Sequence, residues 1–211
     1  VVIDDDLVIS SNIDACSVLV KSGRTVTVAS DIYLTVLNEV VVETGANLIF
    51  DDKASLVQIN NVANTGNIIY LRDATIRSLD YVYWSSPVAN QNLNSIYTSP
   101  PQGPRFRWNP ILNNGNGNGG NISQGTWVNA NGNVMEVGRG YIVRGSSNSA
   151  MAPSTLFSTF SGVANNGSIN YTVERGQYTG APYAGLNGTM ITNLDDNWNL
   201  LGNPYPSSIN A

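Results

Sequence analysis

The sequence contains no histidine and a single cysteine, Cys16, among its 211 residues. Histidine is the commonest general base at neutral pH and the commonest metal ligand, so its absence excludes Ser-His, Cys-His and His-metal mechanisms. One cysteine cannot form an intramolecular disulfide, and its thiolate would lack an activating base. We therefore interpret Cys16 as a small buried apolar side chain, and we expect the protein not to be an enzyme.

Charged residues are also scarce, at 12% of the chain, with 10 Lys and Arg against 15 Asp and Glu. The resulting net charge of −5 disfavours a surface that neutralises phosphates, so nucleic acid is not expected as a partner. No apolar run is long enough to predict a membrane span, and the first residues lack the basic and apolar stretches of a signal peptide. The hydrophobic content of 42% suffices for the core of one or two domains.

A gapless internal repeat is present in the N-terminal third, where residues 17–38 align on residues 39–60 with a period of 22 residues. Each unit contains short runs of alternating apolar residues and a turn at Gly23 or Gly45, where we expect positive φ. Such a repeat predicts stacked coils with parallel strands, that is, a short β-solenoid, with residues 1–16 as a degenerate further coil. Antiparallel hairpins in a sandwich are the alternative.

The pattern changes after Ile76, and we place a domain boundary near Leu79, giving a solenoid-like region over 1–78 and a β-sandwich or jelly-roll-like domain over 79–211. We expect this second domain to be truncated at its C-terminal end. Its predicted strands are Tyr81 to Trp84, Arg105 to Trp108, Gly125 to Val128, Tyr141 to Arg144, Thr155 to Gly162, Gly167 to Val173, and Trp198 to Leu201. The Asn165-Asn166-Gly167 sequence predicts a hairpin turn, and the Asn/Gly tract at 113–121 predicts an exposed loop.

Aromatic residues provide the candidate ligand-binding sites. A sugar ring could stack on an aromatic face, and Trp108, Trp127, Tyr178 and Tyr183 are the weak candidates for this role. The alternative is that such rings fill the core. We favour the core for Trp84 and Trp198, because each lies in an alternating apolar strand.

Acidic residues provide only a weak metal site. Asp4, Asp5 and Asp6 could offer oxygen ligands to calcium, but they lack the alternating spacing of a calcium loop. Solvated corner residues are the favoured interpretation, and no other cofactor is expected.

Several strings of the chain resemble large cell-surface and secreted proteins of Bacteroidota: YVYWSSPV (81–88), GRGYIVRG (138–145), DDNWNLLGNPYPSSINA (195–211) and the lead-in LTVLNEVVVETGANLIFDDKASLVQ (34–58). In those proteins a segment of this kind precedes a C-terminal sorting domain for the type IX secretion system. The resemblance implies an exported protein, in a group that includes gliding-motility adhesins. It also implies the outer-membrane type IX translocon or surface-anchoring machinery as a partner, and it supplies no catalytic residues.

The expected function is that of a non-enzymatic extracellular module, an adhesin or stalk segment of a type IX secretion substrate at the cell surface. The alternative is a carbohydrate-binding module attached to a secreted polysaccharide-degrading enzyme, with glycans as partners. A catalytic solenoid of the polysaccharide-lyase type ranks last, because two or three coils are too few to build its cleft.

Overall fold

The computed structural model describes residues 1–98, 102–112, 125–145, 152–176, 181–184, 188, 190–192, 194 and 198–209. Within these ranges the protein is all-β, as predicted, and its one helical element is a single 3-10 turn at Leu93–Ser95. None of the described helical structure has the length and apolar character that crossing a membrane requires. The strands are β1 (Val2–Ile3), β2 (Leu7–Ile9), β3 (Ile13–Ala15), β4 (Val18–Val20), β5 (Thr25–Val28), β6 (Tyr33–Val36), β7 (Val40–Val42), β8 (Asn47–Phe50), β9 (Ser55–Gln58), β10 (Ile68–Ile76), β11 (Tyr81–Trp84), β12 (Arg105–Asn109), β13 (Thr126–Asn129), β14 (Tyr141–Arg144), β15 (Ser154–Gly162), β16 (Tyr183–Ala184) and β17 (Met190–Ile191).

Three sheets organise the N-terminal region. Their strand orders are β1-β4-β7 for sheet I, β15-β10-β8-β5-β2 for sheet II, and β3-β6-β9 for sheet III. Strands β1 to β9 pair in parallel throughout, so the alternative of antiparallel hairpins is wrong for this region. Between the two repeat units, each residue pairs with the one 22 positions later, as Val18 does with Val40. The same separation joins Thr25 to Asn47 and Tyr33 to Ser55.

The alternating apolar residues of the repeat point into a common core. Among the buried side chains of the two units are Val18, Val20, Val26, Val28, Leu34, Val36, Val40, Val42, Leu48, Phe50 and Leu56. The glycine corners behave as predicted, because Gly23 and Gly45 have φ of 76° and 83°. The inward side chains of both units therefore lie in one core. The β-solenoid of 22-residue coils stays a prediction.

Residues 1–16 extend all three sheets with tighter turns than the repeat units. Val2 pairs with Leu19, Leu7 with Val26 and Ile13 with Leu34, which are separations of 17, 19 and 21 residues. The prediction of a buried Cys16 is wrong, because this residue lies at an exposed corner. Its backbone carbonyl accepts a 2.8 Å hydrogen bond from the N–H of Asn38. The backbone of Cys16 is therefore bonded to the first repeat unit, while the residue itself is exposed.

Strands from the second half form an antiparallel sheet IV, in the order β11-β14-β12-β13. Strand β15 instead pairs antiparallel with β10 along nine residues and so joins sheet II. A single cluster of buried hydrophobic residues includes members from both halves. The two-domain division near Leu79 therefore stays a prediction, and a shared sheet connects the segments on either side of it.

Two predicted strands and one predicted turn do not form. Residues 167–173 and 198–201 lie outside the named strands, although Leu201 makes one antiparallel bridge with Arg139. The predicted hairpin at 165–167 is wrong because the asparagine amides bond to distant backbone instead. Asn166 Nδ2 donates to the carbonyls of Asn60 and Val62, at 2.8 and 2.9 Å. The predicted Asn/Gly loop lies outside the described residues.

Candidate functional site

Two aromatic, proline-containing segments, residues 81–88 and 198–206, are distant in sequence but contact each other. Ser85 Oγ donates a hydrogen bond to the carbonyl of Asn203. Asn165 Nδ2 bridges the carbonyls of Ser86 and Pro204, at 3.1 and 2.9 Å. The two segments approach so closely that a Cβ added to Gly202 would lie 2.2 Å from Ser85 Cβ. Glycine at position 202 therefore allows this contact, because any side chain there would clash with Ser85.

Residues 203–208, which we call the closing segment, cover the free edge of sheet III. The N–H of Leu56 in β9 donates to the carbonyl of Pro206 at 2.7 Å. Asn203 Oδ1 accepts a 3.0 Å bond from the N–H of Tyr205, which fixes a local turn. The Tyr205 hydroxyl donates to the carbonyl of Gly167 at 2.5 Å. The bond from Leu56 satisfies a backbone donor that the edge of the sheet would otherwise expose.

A cavity of about 450 Å³ lies between the closing segment, β10 and β11. It is lined by Lys53, Ser55, Tyr70, Arg72, Trp84, Ser85, Pro87, Phe160, Asn203, Tyr205, Ser207 and Ser208. Two of these side chains are cationic and none is acidic. This differs from the protein as a whole, whose net charge is −5. We call this space the cationic cavity.

Arg72 forms the back wall of the cationic cavity. Its guanidinium donates to the carbonyls of Asp51 and Ala54, at 3.1 and 2.6 Å, and to the Tyr70 hydroxyl. The guanidinium carbon lies 3.7 Å from the centre of the Tyr70 ring, in cation–π geometry. Burial lowers the pKa of Arg72 and raises the pKa of Tyr70. An arginine remains protonated under such conditions, so the wall carries a full positive charge.

Lys53 supplies the second charge, at the rim. Its backbone has φ of 63°, a left-handed conformation that Asp31 also adopts 22 residues earlier. Lys53 is exposed, and the ion pairs formed within the described parts of the chain include neither Lys53 nor Arg72. The corner of the second repeat unit thus presents an unpaired cation to the cavity.

The predicted tryptophan pair lies on sheet IV. Trp108 of β12 and Trp127 of β13 are cross-strand partners, with ring centres 5.2 Å apart and planes at 73°. Trp108 Nε1 donates to the carbonyl of Trp198 at 2.8 Å. The side chain of Trp127 is 39% exposed. The two residues therefore form an edge-to-face pair with one accessible ring.

Two further predictions concern Trp84 and Trp198. Trp84 packs against the core, with ring centres 5.9 Å from Tyr97 and 5.7 Å from Phe160, and it also lines the cationic cavity. The prediction of a core role for Trp198 is wrong, because its side chain is 68% exposed. Trp198 contacts Trp108 through its backbone carbonyl, and the Trp198 ring is exposed to solvent.

The remaining predicted site residues are two tyrosines and three acidic residues near the N-terminus. Tyr183 belongs to the two-stranded sheet β16-β17, and Tyr178 lies outside the described residues. Asp6 Oδ1 accepts a 2.8 Å bond from the N–H of Thr25, and Asp4 lies 3.6 Å from Arg24. No group of three or more metal-ligating side chains occurs in the described ranges, and the calcium site at Asp4, Asp5 and Asp6 stays a prediction.

Four residues of the cationic cavity were not predicted as site residues: Lys53, Tyr70, Arg72 and Tyr205. One available signal was the interruption of the apolar run of β10 by Arg72, because a charged residue inside such a run needs a specific partner. A second internal arginine, Arg105, is fully buried and donates to the carbonyls of Leu93, Ile96 and Gly103. Arg105 holds a loop in place, whereas Arg72 also faces an open cavity.

No curated protein and no solved structure matches this chain. One protein family does match, and the match extends over residues 1–211. The chain therefore belongs to the family described as Domain of unknown function (DUF8693).

Proposed function

We propose that the chain is a non-enzymatic module of an exported surface protein, in which the N-terminal sheets form a short β-solenoid that serves as a rigid spacer. In this proposal the antiparallel sheet IV belongs to a β-sandwich-like unit that presents loops and aromatic residues. The carrying observation is the constant 22-residue separation between paired strands in all three sheets of the two repeat units.

The arrangement of strands across the N-terminal sheets also supports a spacer. Strand β1 is at one edge of sheet I, and the N–H of Leu19 donates to the carbonyl of Val1 at 2.9 Å. The closing segment lies on β9, at the opposite edge of sheet III. Each strand layer between these two edges adds about 4.8 Å to the length of the proposed spacer.

Export by the type IX pathway to the cell surface is part of the same proposal, and the aromatic strings of the sequence support it. Antibodies against this chain should label intact cells of its source organism, and external protease should remove the signal. Deletion of a translocon component should abolish the labelling while the protein remains detectable in lysates. Detection only after lysis of otherwise unmodified cells would overturn the proposed location.

The spacer role has its own test in the parent protein. Replacing the module by a flexible Gly/Ser linker should reduce attachment of the cells to surfaces while the amount of exported protein stays equal. The purified chain should release no reducing ends from a panel of polysaccharides. Unchanged attachment would contradict the spacer, and release of reducing ends would contradict the non-enzymatic assignment.

A second candidate is a carbohydrate-binding module, which the accessible Trp127 ring beside Trp108 favours. Glycan binding that disappears in Trp127→Ala would support it. Tyr83→Ala is the matched control, because Tyr83 is 66% exposed on β11, at the opposite edge of sheet IV. Equal loss in both variants, or no binding by the unmodified chain, would reject this candidate.

A further inference from the structure

We propose that the cationic cavity binds a uronate, an acidic sugar whose carboxylate is held by Lys53 and the wall formed by Arg72. The site differs from the tryptophan pair on sheet IV, and the proposal does not depend on the spacer role. It begins from the convergence of three separate parts of the chain: the corner at 53–55, strand β10, and the segments 84–87 and 203–208.

Charge decides the class of ligand. The lining has two cations and no acid, in a chain with more acidic than basic residues. The hydrogen bonds of Arg72 go to backbone carbonyls and to a phenol. Asp52 and Asp73 act on it electrostatically, but neither forms an ion pair with it among the described residues. A half-buried cation is stabilised by an anion of small size, and a carboxylate satisfies this requirement.

Direct contact with the carboxylate falls mainly to Lys53. The guanidinium of Arg72 is already engaged by its carbonyl partners, and it acts on a ligand through its positive potential. The Lys53 ammonium is exposed at the rim and belongs to none of the ion pairs in the described chain. Its left-handed backbone fixes the direction in which the side chain leaves the corner.

The other walls suit a sugar rather than a bare anion. Trp84 and Tyr205 are half-buried and line the cavity, which offers apolar surface to the C–H groups of a pyranose ring. Ser207 and Ser208 contribute hydroxyl groups from the closing segment. The volume of about 450 Å³ accommodates one or two sugar rings.

The test uses the purified full chain and calorimetric titration with sodium glucuronate and sodium galacturonate, with glucose and sodium sulfate as controls. We expect at least one uronate to bind with a Kd of about 1 mM. Lys53→Gly should weaken that binding roughly tenfold, since about 1.4 kcal/mol is a reasonable contribution from one charge-assisted contact. Glycine accepts the left-handed backbone at this position, so this variant removes the charge without straining the corner.

Lys21→Ala is the matched control, because Lys21 is a surface cation that pairs with Glu43 at 3.0 Å outside the cavity. It should bind uronate like the unmodified chain, and thermal unfolding should show that both variants fold. Equal binding of glucose, or of sulfate with the same dependence on Lys53, would overturn the assignment to an acidic sugar. No uronate binding at about 10 mM, or unchanged binding by Lys53→Gly, would overturn the site itself.

Discussion

The backbone N–H of Leu56 donates to the carbonyl oxygen of Pro206 across 2.7 Å, which joins the last strand of the second repeat unit to the closing segment. These residues are far apart in sequence, and the bond satisfies a donor at the free edge of sheet III. It also holds Tyr205 beside the cationic cavity. Stability and the shape of the cavity therefore depend on the same short segment.

The first prediction concerns the contact between Gly202, which precedes the closing segment, and Ser85, which follows β11. In Gly202→Ala the new Cβ would lie 2.2 Å from Ser85 Cβ, so one segment must move. We expect a loss of about 1–3 kcal/mol in the free energy of unfolding, measured by urea denaturation. Adding Ser85→Gly should restore part of the loss by making room. Additive losses in the double variant would contradict this explanation.

The second prediction concerns the core of the repeat. Leu34→Ala removes a fully buried side chain and should lower the free energy of unfolding by about 2–5 kcal/mol. Leu37→Ala is the control from the same unit, because Leu37 is 42% exposed, and its effect should stay within about 0.5 kcal/mol. Equal effects of the two changes in thermal or urea unfolding would show that the inward and outward positions are misassigned.

The third prediction concerns pH. A hydrogen bond from the Ser22 N–H, assisted by Lys21, lowers the pKa of Glu43 below its ordinary value of 4.5. A lowered pKa in the folded state gives stability that is present above the unfolded value and is lost as pH falls through the folded value. The melting temperature of the unmodified chain should therefore exceed that of Glu43→Gln at neutral pH. The difference should shrink below about pH 4.5, and a difference that grows in acid would contradict the assignment.

The fourth prediction concerns the single thiol. Cys16 is exposed, so Ellman's reagent should modify one thiol per folded chain without denaturant. The amplitude should be the same in urea, and Cys16→Ser should not react. A thiol that reacts only after unfolding would support burial at this corner.

Much of the N-terminal region could be predicted from its sequence, because the repeat is local and its register is visible in the alternating residues. The inward positions, the two glycine corners and the separation of 22 residues all follow from residues 17–60. Five strands of the second half also lie close to their predicted bounds. In these segments the side chains alternate regularly between the two faces of a sheet.

Long-range pairing could not be predicted in this way. Strand β15 could belong to any antiparallel neighbour, and no local pattern indicates that it pairs with β10. The amides of Asn165 and Asn166 illustrate a related difficulty, because a turn-forming sequence is used to bind distant carbonyls. The cationic cavity has the same origin, since its side chains come from segments that only the folded chain brings together.

The constant separation in the repeat has a consequence for how this family can change in length. Insertion of one further copy of residues 17–38 would preserve the partner of every strand in that region, whereas an insertion of half that length would place apolar side chains on the solvent face. Growth by whole units leaves the corners and the closing segment with their present neighbours. The lengths that this region can take are therefore discrete and change in steps of one 22-residue unit.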